Sequence, residues 1–111
     1  MLTACLAERE RPGPPRLTFT IDDISVISST HTDTLAGTVL AEDPDGLDSV
    51  WVSLDNVEKG EDGSFDRVFS SRWRFVVAAG LSQGAQLPLT FRARDIGGFV
   101  AQRDTYVVVG P

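Results

Sequence analysis

Apolar and polar residues alternate at every second position along several short stretches of this sequence, and no stretch repeats with the 3.6-residue period of a helix. The pattern is clearest at residues 72–79, where Trp73, Phe75 and Val77 share one face and two arginines occupy the other. Successive side chains of a β-strand point to opposite sides, so this alternation is typical of strands with one buried face. The chain is therefore predicted to be all-β.

About seven strands are predicted from these stretches. They cover residues 17–26 with an interruption, 35–41, 50–54, 65–69, 72–79, 87–93 and 99–109. Turn signals separate them at short and regular intervals, which favours an antiparallel β-sandwich.

The strand pattern is less regular in three places. Residues 59–64 are predicted to be an exposed loop, and residues 65–69 a short edge strand. The alternation shifts phase between residues 21 and 24, which indicates a bulge or a strand that changes sheets. On the last strand both pairs of alternating residues are apolar enough to face inward. These pairs are Tyr106 with Val108, and Val107 with Val109.

Residues 43–55 join a tight acidic turn to an alternating strand. In the strand, Val50, Val52 and Leu54 form the better inner set, so Trp51 is predicted to point outward. The alternative is a register shifted by one residue, which would place Trp51 in the core.

Composition narrows the classes of function. The chain has 111 residues, which fits one domain, and its 10 basic and 16 acidic residues give a net charge of −6 that disfavours binding to nucleic acid. Its single cysteine, Cys5, excludes an intrachain disulfide and a cysteine-rich zinc site, and its single histidine, His31, removes most metal-binding and acid–base arrangements. Ser28 or Ser29 with His31 and Asp33 would be a nucleophilic triad, but these residues are too close together in one polar loop to hold its geometry. The protein is therefore not expected to be an enzyme.

The N-terminal residues 1–15 are predicted to be an anchor-like segment followed by a Pro-rich tether, and residues 16–111 the sandwich. Leu2-Thr3-Ala4-Cys5 resembles a bacterial lipobox, which implies acylation of Cys5 and a membrane-anchored location in the periplasm or on the cell surface. The charged and apolar regions of a signal peptide do not precede it, so an ordinary start with an unmodified thiol is the alternative.

Three segments share a spacing of small, apolar and acidic residues. They read Leu-x-Gly-x-Val-x-Ala-x-Asp at 35–43, Gly-Leu-x-x-Val-x-Val at 46–52, and Leu-x-Phe-x-Ala-x-Asp-x-Gly-Gly at 89–98. Together they resemble the bacterial immunoglobulin-like domains of cell-surface and periplasmic proteins. The resemblance implies an immunoglobulin-like sandwich, here without the paired cysteines of antibody domains. Such domains serve as spacers, adhesins, carbohydrate-binding modules and accessory subunits.

Trp51, Arg92 and Arg94 are the candidate partner-binding residues. In the immunoglobulin-like arrangement their strands are neighbours, so the three side chains would form an exposed aromatic and cationic patch of the kind that anchors protein interfaces. The leading hypothesis is a non-enzymatic accessory subunit that binds a protein partner in a membrane-associated assembly. An ordinary solvated surface is the alternative for this patch.

Asp43, Asp45 and Asp95 are the candidate metal ligands, because the turns that carry them would lie at the same end of the sandwich. Carboxylate oxygens suit Ca²⁺, and calcium is the one cofactor considered for this chain. The competing explanation is that each aspartate caps its own turn through backbone amides. A carbohydrate-binding or adhesin-like module, dependent on Ca²⁺ at this end, is the alternative function.

Overall fold

The computed structural model describes residues 13–22 and 26–111, and within them the chain forms eight strands and no helix. The strands are β1 (Arg16–Ile21), β2 (Val26–Ser28), β3 (Asp33–Glu42), β4 (Leu47–Leu54), β5 (Val57–Asp62), β6 (Val68–Val77), β7 (Gln86–Asp95) and β8 (Val100–Gly110). The predicted all-β class is therefore confirmed. No helix among the described residues is long and apolar enough to cross a membrane.

The strands form two sheets. One has the order β1-β3-β6 and the other the order β2-β8-β7-β4-β5. The neighbouring strands run antiparallel except for β2 and β8, which are parallel. Because β1 and β2 belong to different sheets, the phase shift between them marks a change of sheet. The arrangement is consistent with a β-sandwich.

Two local predictions were wrong. Residues 59–62 belong to β5, which pairs with β4 across a two-residue turn, and are not a loop. The strand predicted at residues 65–69 does not form as such: Phe65 lies in a turn with φ of 60°, and the strand starts at Val68 and continues without a break to Val77. Every β5 side chain is exposed. The alternation of buried and exposed residues, from which strands were predicted, is therefore absent from β5.

The core lies between the sheets and takes alternate residues from both. Val50, Val52 and Leu54 are buried, as the alternation predicts. On β8 the inward pair is Val107 and Val109, which settles the choice that the sequence left open. The remaining buried apolar residues are Leu17, Ile27, Leu35, Val39, Ala41, Leu47, Trp73, Phe75, Val77, Leu87, Leu89, Phe91 and Ala93.

Three aromatic rings, two of them buried and that of Phe19 partly buried, connect the two sheets. Phe19 of β1 stacks on Phe91 of β7 with ring centroids 4.2 Å apart, and Trp73 of β6 meets Phe91 edge-on at 5.5 Å. Trp73 Nε1 donates a hydrogen bond to the Thr38 carbonyl at 3.0 Å, so the buried indole has its polar group satisfied.

Gly37 of β3 makes the close approach between β1 and the Trp73 ring. A Cβ atom at this position would lie 1.9 Å from the Thr20 carbonyl oxygen and 2.7 Å from Trp73 Cζ2. Both distances are far below van der Waals contact, and the first involves backbone that cannot rotate away.

We expect Gly37→Ala to lower the free energy of unfolding by about 3 kcal/mol, since an added methyl overpacks a rigid site. Denaturant unfolding measures the change. Gly97→Ala is the matched control, because a Cβ there meets nothing closer than 3.4 Å, and its effect should stay within about 1 kcal/mol. Equal stability of the two variants would contradict the close approach.

Candidate functional site

The outer surface of the five-stranded sheet carries the three candidate partner-binding residues. Trp51 lies on β4 directly opposite Arg92 of β7 on one side and Gly60 of β5 on the other. Its neighbours in sequence, Val50 and Val52, are buried, while Trp51 is half-buried on the opposite surface. The outward register of Trp51 is therefore the one observed. We call Trp51, Arg92, Arg94, Glu58 and Asp48 the tryptophan face.

Trp51 and Arg92 are in direct contact. The guanidinium carbon of Arg92 lies 4.6 Å from the centroid of the Trp51 ring, in the range of a cation–π interaction. Arg92 Nη2 also lies 3.7 Å from Glu58 Oε2 on β5. On the other side of the ring, a Cβ at Gly60 would come within 2.7 Å of Trp51 Cδ1. The glycine thus leaves the space in which the indole lies flat across β5.

Arg94 has a different partner. It lies opposite Ser49, two residues along β7 from Arg92, and its Nε atom is 3.5 Å from Asp48 Oδ2. Ser49 Oγ donates to the same carboxylate oxygen at 3.1 Å. The structure thus places all three predicted residues on one surface, with Arg94 paired to Asp48 while Arg92 stacks on Trp51.

A shallow depression of about 420 Å³ adjoins Trp51. It is lined by Asp48, Ser49, Trp51, Gly60, Glu61, Asp62 and Phe65. Phe65 is 69% exposed at its rim, so an aromatic side chain and carboxylates share the lining. Residues of β5 and of the following turn contribute to the tryptophan face and to this depression, although sequence reasoning did not assign them there. The Asp55-Asn56 turn followed by Val57 is the signal that would have indicated a hairpin.

The three candidate metal ligands come together at one end of the core. Asp43 follows Val39 and Ala41 in the inward phase of β3, and Asp95 follows Phe91 and Ala93 in the inward phase of β7. The two carboxylates, 3% and 1% exposed, therefore come from opposite sheets and meet between them. With exposed Asp45 they form a group whose candidate ligand atoms all lie within 4.8 Å of one another. We call this group the carboxylate cluster.

Hydrogen bonds use only part of the acceptor capacity of the cluster. Asp43 Oδ1 accepts from the Asp45 amide at 2.8 Å, and Asp95 Oδ1 accepts from the Phe99 amide at 2.9 Å. Each buried aspartate thus caps its own turn, as the competing explanation predicts. Asp95 Oδ2 is fully buried and has no hydrogen-bond partner among the residues that the structure describes. The Ile96 amide donates to the Gly46 carbonyl at 3.1 Å and joins the two turns.

The environment of Asp43 disfavours its charged form. Burial is the largest cause that raises the pKa of this carboxyl above its ordinary value, and the neighbouring Asp95 and Asp45 carboxylates add to the rise. The hydrogen bond from the Asp45 amide acts in the opposite direction. In the folded protein Asp43 thus holds its proton to higher pH than in the unfolded chain. Its ionisation therefore lowers stability as pH rises through the folded pKa.

The polar loop before β3 does not assemble a nucleophile. The described hydrogen bonds connect His31 Nδ1 to Thr30 Oγ1 at 3.0 Å, and they connect Ser28 Oγ to Thr30. Asp33 accepts amide hydrogen bonds from Ser28 and Thr34, which lower its pKa. Its carboxylate is thus used to shape the loop. Cys5, the candidate lipid anchor, lies outside the described residues.

Comparison of the chain with protein-family models, curated proteins and solved structures gave no match. Its function is therefore inferred from the geometry of the tryptophan face and the carboxylate cluster.

We expect Asp43→Asn to stabilise the protein at pH 7 in the presence of a chelator, by on the order of 1 kcal/mol. The substitution keeps an oxygen acceptor for the Asp45 amide, removes one buried charge and adds a donor beside Asp95. Thermal unfolding would show this as a rise in Tm of roughly 4–8 °C.

The gain in stability over wild type should shrink at lower pH. As pH falls through the raised pKa of Asp43, the wild-type carboxyl becomes protonated and no longer carries the unfavourable buried charge that the substitution removes. Asp66→Asn, an exposed aspartate in the turn before β6, is the control and should change little. A variant at Asp43 that is less stable than wild type at pH 7 in chelator would contradict this account of the buried pair.

Proposed function

We propose that this chain is a non-enzymatic, immunoglobulin-like domain that binds a protein partner through the tryptophan face, as an accessory subunit of a membrane-associated assembly in a bacterial cell envelope. Two sheets of three and five strands, mostly antiparallel and joined by connections that cross between them, support the immunoglobulin-like part of the proposal. The proposed binding surface rests on one observation, the stacking of Arg92 on outward-facing Trp51.

Trp and Arg are the residues that most often dominate the energy of protein interfaces. A large indole buries much area with only two rotatable bonds, and an arginine can contact an aromatic ring and a carboxylate together. On the tryptophan face Arg92 makes both contacts before any partner arrives. Less side-chain freedom is then lost on binding, which favours affinity.

Ion pairs alone would not support this proposal. Arg92, Glu58, Arg94 and Asp48 are all substantially exposed, and exposed pairs contribute about 0–1 kcal/mol each. Their value to an interface lies in charge pattern rather than in stability. Alternating arginines and carboxylates around a central indole select a partner with the complementary pattern and disfavour others.

The depression beside Trp51 indicates the charge of the partner. Asp48, Glu61 and Asp62 surround it, and the whole chain carries a net charge of −6. We therefore propose that the partner places a lysine or arginine there, next to Trp51 and Phe65. Such a contact combines an ion pair with a cation–π interaction.

The lipobox-like sequence at Cys5 and the Pro-rich residues that follow it support the proposed location. A proline-rich segment is extended and semi-rigid, which suits a spacer between a lipid anchor and a folded domain. In this proposal the spacer holds the tryptophan face away from the membrane, where a partner can reach it.

We expect Trp51→Ala and Arg92→Ala each to weaken partner binding at least tenfold while the domain stays folded, since a central interface residue contributes about 2 kcal/mol or more. The partner is identified by cross-linking in native membranes and purified. Its Kd for each variant is then measured by calorimetry, with circular dichroism to verify folding.

Two controls separate this surface from a general loss of exposed side chains. Tyr106→Ala removes an exposed aromatic from β8 of the same sheet, and Arg74→Ala removes an exposed arginine from the other sheet. Both should bind as wild type. Unchanged affinity for Trp51→Ala and Arg92→Ala, or an equal loss in the controls, would refute the proposed surface.

The proposed anchor predicts a defined chemical form of the native protein. Intact mass spectrometry of the protein from its own membranes should show a chain that begins at Cys5 with a mass increase of two or three acyl chains. Cys5→Ala should move the protein from the membrane fraction to the soluble fraction. A native chain that retains Met1 with an unmodified thiol would refute the anchor and leave the binding surface to be judged by its own experiment.

A further inference from the structure

We propose that the carboxylate cluster of Asp43, Asp45 and Asp95 binds a calcium ion that ties the two sheets together at this end of the sandwich. The proposal is independent of the tryptophan face. It rests on two observations, the convergence of three carboxylates within 4.8 Å and the fully buried Asp95 Oδ2, which has no hydrogen-bond partner in the described part of the chain.

A buried carboxylate needs a compensating charge or a full set of hydrogen bonds. The cluster has neither. Asp43 and Asp95 each accept one amide hydrogen bond, and none of the ion pairs found among residues 13–22 and 26–111 includes a cluster aspartate. One shared proton would neutralise one of the three carboxylates, whereas a divalent cation interacts with all of them.

The donor atoms and their spacing favour calcium. All the side-chain donors are carboxylate oxygens, which hard cations prefer and which suit zinc less well. Oxygens on opposite sides of Ca²⁺ are separated by about 4.6–5.2 Å and those around Mg²⁺ by about 4.0–4.2 Å, from their usual bond lengths. The carboxylate oxygens of the cluster, all within 4.8 Å of one another, are close enough together to share one Ca²⁺ ion. Backbone carbonyls and water would complete the six to eight ligands that Ca²⁺ takes.

The position of each aspartate suits a role in such a site. Asp43 lies in the turn after β3, and Asp95 is at the end of β7 in the opposite sheet. A hydrogen bond from the Ile96 amide to the Gly46 carbonyl already joins the two turns. Asp45 is exposed and provides the entry from solvent. An ion held by all three would connect the sheets as a disulfide does in other small sandwiches.

The test uses the full chain after treatment with a chelator, titrated with Ca²⁺ and in parallel with Mg²⁺. Calorimetry should show one Ca²⁺ site per chain. Thermal unfolding should show a Tm higher by roughly 10 °C or more when free Ca²⁺ is a hundredfold above Kd, with a clearly smaller effect of Mg²⁺.

Asp45→Asn is the informative variant, because Asp45 is exposed and the loss of its charge, which repels Asp43, should leave the Tm in chelator unchanged or slightly higher. It should weaken Ca²⁺ binding at least tenfold. Asp66→Asn and Trp51→Ala should both bind Ca²⁺ as wild type does, since neither residue belongs to the cluster.

Three results would overturn the proposal. The first is no heat and no change in Tm with millimolar Ca²⁺, which would leave a shared proton as the means by which the buried pair is neutralised. The second is an equal rise in Tm with Mg²⁺ and with Ca²⁺ that is also seen in Asp45→Asn, which would indicate general screening of charge. The third is a Ca²⁺ affinity of Asp45→Asn equal to that of wild type, which would place the ion elsewhere.

Discussion

The contact of Phe19 and Trp73 with Phe91 is the interaction on which the arrangement of the two sheets depends. The chain has a single cysteine, so no covalent bridge can hold the sheets within one molecule, and aromatic packing takes that place. The contact requires Gly37, which lets β1 and the indole of Trp73 approach β3. Once the inner rings are in place, the alternation of each strand determines its outer surface. Trp51 faces solvent for this reason, because Val50 and Val52 belong to the core.

Alternation predicted the parts of the fold in which burial is one-sided, and it failed where burial is absent or ambiguous. The inner sets of β4, β6 and β7 could be read directly. β5 could not, because it is held by backbone pairing to β4 and buries none of its side chains. On β8, tyrosine and valines occupy both phases, so only the packing against the opposite sheet distinguishes them. The sequence grouped Asp43, Asp45 and Asp95 through the turns that carry them. It did not predict that Asp43 and Asp95 are buried, although each lies two residues beyond an inward-facing alanine, Ala41 of β3 or Ala93 of β7, and so continues the inward side of its strand.

The two candidate sites differ in physical character although they share strands. The turn that contains Asp43 and Asp45 leads into β4, which carries Trp51, and β7 carries Arg92 before it ends at Asp95. The tryptophan face is open to water, where charges are screened and shape and aromatic contact matter most. The carboxylate cluster is mostly closed to water, where one uncompensated charge is costly. A ligand at the cluster would therefore fix the ends of the two strands on which the face is built.

β5 is the last strand of the five-stranded sheet, and its open edge has consequences beyond the domain itself. Four of its six residues are charged. Lys59 is exposed but lies on the inward side of the strand, where its Nζ atom is 4.8 Å from the Phe75 ring centroid and donates to the Arg74 carbonyl at the edge of the other sheet. Charges and an inward lysine make the addition of another strand costly, because they would have to lose water. Many copies crowded on one surface would thus remain separate molecules instead of joining edge to edge into fibrils.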